Sequence, residues 1–102
     1  LDFTTALDLH FEPPDLEAFP CLALAYVAGR NGETCPAWFS ASNEVAVGAF
    51  LDRRIRWTDI AAVNAAALDR WTGTVADSLE AVLDADREAR VVAEQLVAGR
   101  TV

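Results

Sequence analysis

The chain has 102 residues, of which 53% are hydrophobic, and this apolar content is sufficient for the core of one small domain. Sixteen acidic residues against eight basic ones, all of them Arg, give a formal net charge of −8. This charge argues against a nucleic-acid-binding surface and against binding to anionic lipid, since both need basic residues. No apolar run approaches the roughly 18 residues of a membrane span, and no secretion signal is visible.

Two further features of the composition concern completeness and redox chemistry. The chain has no Met and begins at Leu1, so we expect it to be part of a longer protein. Two Cys and one His cannot form a zinc site without carboxylate ligands. We expect Cys21 and Cys35 to be reduced thiols, with Cys21 a small core residue, although a disulfide between them is possible.

The first segment alternates between apolar and polar residues. Leu7, Leu9 and Phe11 recur at every second position, which predicts one half-buried strand. A single strand is not stable alone, so it must pair with something outside this segment or lie along the helices. The Pro13-Pro14-Asp15 sequence ends the strand, and residues 12–19 are predicted to be an extended connector.

Four amphipathic helices are predicted after the connector. The first begins at Pro20 and ends at Asn31-Gly32, and the second runs from near Ser42 to about Arg53. The third begins after Thr58 as N-cap and stops before Gly73, and the fourth runs from Asp77 as N-cap to Gly99, with a possible break near Ala85. The predicted inner face of the first helix consists of Leu22, Ala25, Tyr26 and Gly29, and that of the fourth includes Leu79, Val82, Leu83, Ala89, Val92, Ala93, Leu96 and Val97.

Short connections between such helices favour a compact bundle, so the predicted fold class is mainly α: a four-helix-bundle-like domain after an N-terminal strand and an extended connector. Trp38, Trp57 and Trp71 are expected at helix ends. There each ring would cover the core, and its indole N–H would reach a carbonyl or water.

Three groups of residues are candidates for chemistry. His10 lies two residues from Asp8 and from Glu12, so local ion pairing is the simpler interpretation than catalysis. Asp84, Asp86 and Glu88 could in principle bind a divalent cation, but they lack the pattern of a calcium loop and are better read as surface pairs with Arg87 and Arg90. Ser42 and Glu44 lie in a string typical of a helix entrance, without a nearby His to activate the serine.

The segments resemble a known family when they are read as strings in order. They are Phe11-Glu12-Pro13-Pro14-Asp15, Phe19-Pro20-Cys21-Leu22, Ala41-Ser42-Asn43-Glu44-Val45-Ala46-Val47, Ile55-Arg56-Trp57-Thr58-Asp59-Ile60 and Ala85-Asp86 with Ala89-Arg90. In order and spacing they resemble the C-terminal part of 1-deoxy-D-xylulose 5-phosphate reductoisomerase. Ser40 stands where that family commonly has Asn, and Trp57 where it commonly has Phe.

This resemblance implies a role within a larger enzyme. Family members reduce and rearrange a sugar phosphate to 2-C-methyl-D-erythritol 4-phosphate in the non-mevalonate isoprenoid pathway. They use NADPH and a divalent cation (Mg or Mn), and they are homodimers. The family's Asp-Ser-Glu metal motif and Asn-Lys substrate motif match no position here, and the chain contains no Lys. We therefore expect no catalytic, cofactor-binding or metal-binding residue in this chain.

The resemblance also implies a division of the chain. Residues 1–19 would be a strand and connector from the end of the catalytic domain, and residues 20–102 a C-terminal helical bundle domain. The expected partners are the enzyme's own catalytic domain and a second subunit, with no nucleic acid and no membrane, in the cytoplasm. Two alternatives are a freestanding acidic helical module that binds a protein, and a small enzyme using Glu44 or His10.

Overall fold

Four helices make up the regular structure of the chain. A computed structural model describes residues 1–101, and within them the helices are α1 (Cys21–Asn31), α2 (Cys35–Leu51), α3 (Trp57–Asp69) and α4 (Leu79–Ala98). α2 contacts each of the other three helices, α3 also contacts α1 and α4, and α1 and α4 do not contact each other. The prediction of a mainly α, four-helix domain is confirmed.

The core of the bundle is built largely from small side chains. The residues of its larger cluster are each at most 3% exposed: Ala46, Ala49, Ile55, Val63, Ala93 and Val97. A second cluster joins Trp38 and Ala41 of α2 to Ala89 of α4. Alanines at the contact between α2 and α4 allow the two helix axes to approach closely, so a larger side chain at these positions would force the helices apart.

The second helix begins seven residues earlier than predicted. It starts at Cys35, with Pro36 in its first turn, directly after a turn in which Gly32 and Glu33 both have positive φ. Ser42 is therefore not an N-cap but a buried residue inside α2, and its hydroxyl donates to the Trp38 carbonyl at 2.8 Å. A serine can bond its own helix in this way, which is why the cap signal at Ser42 was misleading.

The third and fourth helices begin close to the predicted positions but with different caps. In α3 the backbone N–H of Arg56 donates to Asp59 Oδ2 at 2.9 Å, so Asp59 rather than Thr58 satisfies the free N–H group. In α4 the Ser78 hydroxyl, one residue after the predicted Asp77, accepts from the Ala81 N–H at 3.1 Å. α4 is continuous through Ala85, so the helix has no break at the position where one was considered possible.

Two predicted inner faces differ from the structure. Leu22, Ala25, Tyr26 and Gly29 are all exposed, and α1 instead turns Ala28 toward the bundle. In α4 the predicted residues Ala89, Ala93 and Val97 are buried, whereas Leu79 and Leu83 are 74% and 44% exposed. The buried face of α4 consists of Ala85, Ala89, Ala93 and Val97.

The predicted N-terminal strand is not formed in residues 1–101. Residues 6–15 have no regular structure, and every residue from 1 to 20 is exposed. A strand needs a neighbouring strand for its backbone hydrogen bonds, and the described part of the chain offers none. The radius of gyration is 16.5 Å, against about 13 Å for a compact domain of 100 residues, because residues 1–20 are extended.

Candidate functional site

The candidate histidine lies in the exposed N-terminal segment that precedes the connector. His10 Nε2 is 3.8 Å from Glu12 Oε2, and both side chains are more than 80% exposed. His10 therefore lies within ion-pairing distance of Glu12, the contact that the sequence indicated. An exposed pair of this kind adds little to stability and positions no other reactive group.

Glu44 joins two helices rather than forming a site with His10. The Arg90 guanidinium donates to Asp86 Oδ1 through Nε at 2.7 Å and to Glu44 Oε2 through Nη2. The hydrogen bonds to Asp86 first, and then to Glu44, raise the pKa of Arg90 above its ordinary value. Glu44 of α2 is thus occupied in a charge-assisted bridge to α4, a bond that suits a structural role.

Two of the candidate acidic residues of α4 form ion pairs with arginines of the same helix. Asp84 pairs with Arg87, and Asp86 pairs with Arg90. Within residues 1–101 no group of three His, Cys, Asp or Glu side chains is arranged so that it could hold a metal ion. These carboxylates therefore act in the structure as surface ion pairs, the simpler of the two interpretations of the sequence.

A buried amide pair lies where α1, α2 and α3 meet. Asn64 is fully buried, and its Nδ2 donates to Asn43 Oδ1 at 2.9 Å and to the Cys21 thiol sulfur at 3.7 Å. Asn64 Oδ1 is buried without a hydrogen-bond partner among the described residues. Cys21 and Cys35 are free thiols, Cys35 buried and Cys21 half-buried. The pair links three helices at one point, so it fixes how they sit together.

Two indole N–H groups make hydrogen bonds, one of them to a carbonyl as expected. Trp38 is the fourth residue of α2, near its N-terminal end, and its Nε1 donates to the Ala67 carbonyl at 2.7 Å. Trp71 Nε1 donates to Thr34 Oγ1 at 2.9 Å, and that hydroxyl donates in turn to the Thr74 carbonyl at 2.7 Å. Trp57 is 52% exposed and packs edge-to-face against the Phe19 ring.

Thr34 and Asn64 were not among the residues predicted from the sequence to be important. Asn64 could have been found, because it is a polar residue at a core position of an otherwise apolar helix, and a buried polar group requires a partner. Thr34 had no such signal, since its partners at positions 71 and 74 lie about forty residues away.

The most prominent surface of the chain is apolar. Residues 1–19 expose Leu1, Phe3, Leu7, Leu9, Phe11, Leu16 and Phe19, and α1 exposes Leu22, Tyr26 and Val27. Phe19 meets the Trp57 ring edge-to-face at 5.8 Å, beside a hollow of about 250 Å³. Exposed apolar surface of this extent is typical of a site of interaction with another segment or protein.

The geometry thus defines a helical packing domain, whose polar side chains pair with one another and whose apolar connector is exposed. Among the helices of residues 1–101, none has both the length and the hydropathy needed to cross a bilayer.

Comparison with known proteins identifies the family. Residues 1–92 match the family model of the DXP reductoisomerase C-terminal domain. The 1-deoxy-D-xylulose 5-phosphate reductoisomerase of Ralstonia pickettii is 55% identical over 98 residues, which are 96% of this chain and 25% of that protein. The enzyme of the same name from Cupriavidus metallidurans is 57% identical over 90 residues, or 88% of this chain and 23% of that protein.

A solved structure agrees with these relatives. The reductoisomerase from Zymomonas mobilis, in complex with NADPH, superposes with a TM-score of 0.87 and 44% identity over 95% of this chain and 26% of that one. The chain therefore belongs to the family of DXP reductoisomerase C-terminal domains. It spans about a quarter of the length of the relatives it matches.

Proposed function

We propose that this chain is the C-terminal domain of an NADPH-dependent 1-deoxy-D-xylulose 5-phosphate reductoisomerase. The whole enzyme would form 2-C-methyl-D-erythritol 4-phosphate for the non-mevalonate isoprenoid pathway, with NADPH and a divalent cation, Mg or Mn, bound outside this segment. The observation that carries the proposal is the 55% identity over 96% of the chain to one quarter of a reductoisomerase. A freestanding acidic binding module is not favoured by such a match.

The role of this domain in the enzyme is to brace the catalytic domain. Its candidate reactive groups are engaged in structural contacts, because Glu44 bridges to Arg90 and Ser42 donates to its own helix. His10 is an exposed neighbour of Glu12. We therefore assign no catalytic, cofactor-binding or metal-binding role to residues of this chain.

The proposed domain boundary lies between residues 19 and 20. Residues 1–19 would belong structurally to the catalytic domain, with the alternating segment at 7–11 joining its sheet as a strand. Residues 20–102 would form the helical bundle domain. The exposure of every residue up to Pro20 and the start of α1 at Cys21 support this division. By resemblance to the family, we also propose a homodimer that acts in the cytoplasm.

The test begins with the native gene product. A mass several times the 11.0 kDa of this chain is expected, and a product of 11.0 kDa would contradict the proposal. The purified full-length protein should oxidise NADPH when given 1-deoxy-D-xylulose 5-phosphate and Mg²⁺ or Mn²⁺, whereas residues 1–102 alone should not.

Matched variants of the full-length protein then test the absence of catalytic residues here. His10→Ala and Glu44→Gln should each leave kcat and KM unchanged, because both residues make only surface contacts in this domain. A large fall in kcat with an unchanged melting temperature in either variant would show that the domain supplies a catalytic group.

A further inference from the structure

The outward face of α1 has the pattern of a buried surface but is exposed in this chain. Leu22, Ala25, Tyr26 and Gly29 follow the i, i+3, i+4, i+7 spacing of a helix face that packs against a neighbour. Together with Arg30 they line a shallow hollow of about 340 Å³. Ala28 is the residue of α1 that is buried against the bundle, whereas the four residues of this face are all exposed.

A glycine at the C-terminal end of this face leaves room for a close neighbour. Gly29 lies in the last turn of α1 without a positive φ, and a Cβ added to it would meet nothing within 4 Å. Neither the backbone nor the packing of the described residues requires glycine at this position. On an exposed apolar face, the missing side chain allows another chain segment to approach the helix closely.

The accessible surface of the chain is also larger than that of a compact monomer of the same mass. The accessible surface is 7022 Å², whereas a compact monomer of this mass exposes about 5,600 Å² by area–mass scaling. The excess of about 1,400 Å² arises chiefly from the extended residues 1–20, which are all exposed, and the face of α1 continues from them.

We propose that the outward face of α1 packs against the part of the reductoisomerase polypeptide that precedes this domain, with Gly29 admitting close contact. This proposal rests on the proposed function, since it takes the remainder of that enzyme as the occupant. The relatives are about four times as long as this chain, and the connector enters the bundle directly at α1. A second copy of this domain is a poorer occupant, because each copy carries a net charge of −8 and the two would repel.

The experiment is hydroxyl-radical footprinting of the full-length enzyme, native and unfolded in urea, with oxidation located by mass spectrometry. Tyr26 and Leu22, 58% and 40% exposed in this chain, should be protected several-fold in the native enzyme. Leu51 and Val91, at 70% and 60%, are the matched controls on α2 and α4 and should show little protection. Equal oxidation of Tyr26 and Val91, relative to their unfolded rates, would overturn the proposal.

A pair of glycine substitutions in the full-length enzyme provides the second readout. Gly48 in α2 also lacks a positive φ and has open space at its Cβ, so Gly48→Ala should slow local hydrogen exchange of α2 about two- to fivefold. Gly29→Ala should instead speed exchange in α1, because the added methyl group meets the packed segment. If Gly29→Ala slows exchange to the same extent as Gly48→Ala, the proposal is wrong.

Two controls separate this proposal from its alternatives. Protection of Tyr26 that disappears when the enzyme is diluted would assign the face to a second copy, which overturns the proposal. NADPH turnover by the same preparation tests the proposed function separately. An active enzyme with an oxidised Tyr26 refutes only the packing of α1, whereas an inactive one refutes the proposed function.

Discussion

Trp38 is the side chain whose removal should affect the bundle most. It is 2% exposed, and it lies between α2 and α4 while its indole N–H reaches the Ala67 carbonyl of α3. A tryptophan buries about 150–250 Å², which corresponds to roughly 4–6 kcal/mol as an upper value at 25 cal/mol per Å². Measured losses for truncation of buried aromatic residues are about 3–5 kcal/mol.

Trp38→Ala should therefore remove a large part of the stability of a domain of this size, for which about 5–15 kcal/mol is typical. Trp38→Phe keeps one ring and loses the N–H group. The Ala67 carbonyl then retains the Arg70 N–H at 3.1 Å as its donor, so the hydrogen-bond loss is limited. Because the smaller ring also leaves a cavity, we expect Trp38→Phe to lower the free energy of unfolding by about 1–3 kcal/mol.

The assay is urea denaturation followed by far-ultraviolet circular dichroism, with Trp57→Phe as the matched control. Trp57 is half exposed, so its replacement should change the free energy of unfolding by less than about 0.5 kcal/mol. Equal losses for Trp38→Phe and Trp57→Phe would refute the placement of Trp38 in the core.

Substitutions at four other positions test separate features of the bundle. Thr34→Val should lower the free energy of unfolding in urea by about 1–3 kcal/mol, because it removes the hydroxyl that joins Trp71 to the Thr74 carbonyl. Thr34→Ser keeps that hydroxyl and should lose much less. Asp59→Asn should lower the melting temperature near neutral pH. The hydrogen bonds from Arg56 lower the pKa of Asp59 below 3.8, so the ionised carboxylate stabilises the fold above that pH and this stabilisation is lost as the pH falls below it. The difference between Asp59→Asn and the unmodified protein should therefore narrow in acid, and a constant difference would contradict the argument. Leu83→Asp should be mild, since Leu83 is 44% exposed, whereas a charge at fully buried Ala89 should unfold the domain.

The fold class was predictable because the apolar residues recur with helical spacing over four separate stretches. The start of α2 was not predictable from the sequence, because two sets of helix-start signals compete. Ser40, Ser42 and Asn43 are all good caps, but the turn at Gly32 and the proline at Pro36 begin the helix earlier. Once α2 begins at Cys35, the serine at 42 lies inside it and bonds the Trp38 carbonyl. Cap propensity is local, whereas the choice between caps depends on which start gives the better packing.

The polar contacts were less predictable than the helices because they are non-local. Asn64 reaches Asn43 across 21 positions and Cys21 across 43, and Trp71 reaches Thr34 across 37. Sequence spacing carries information about pairs one turn apart, such as Asp86 and Arg90, but not about pairs that meet only after the helices pack. A buried asparagine can be recognised as needing a partner, yet only the fold supplies the identity of that partner.

Two differences between sequence and structure have the same physical origin. The alternation at residues 7–11 predicts a half-buried strand, and the spacing of Leu22, Tyr26 and Gly29 predicts a buried helix face, but both surfaces are exposed in residues 1–101. Periodicity reports burial in the finished molecule and does not specify which segment supplies the contact. The relatives are about four times longer than this chain, so the contact that we propose with the preceding part of the enzyme would account for both observations. On this proposal, one docking surface would run from residues 7–11 onto α1, and the bundle would brace the catalytic domain through it.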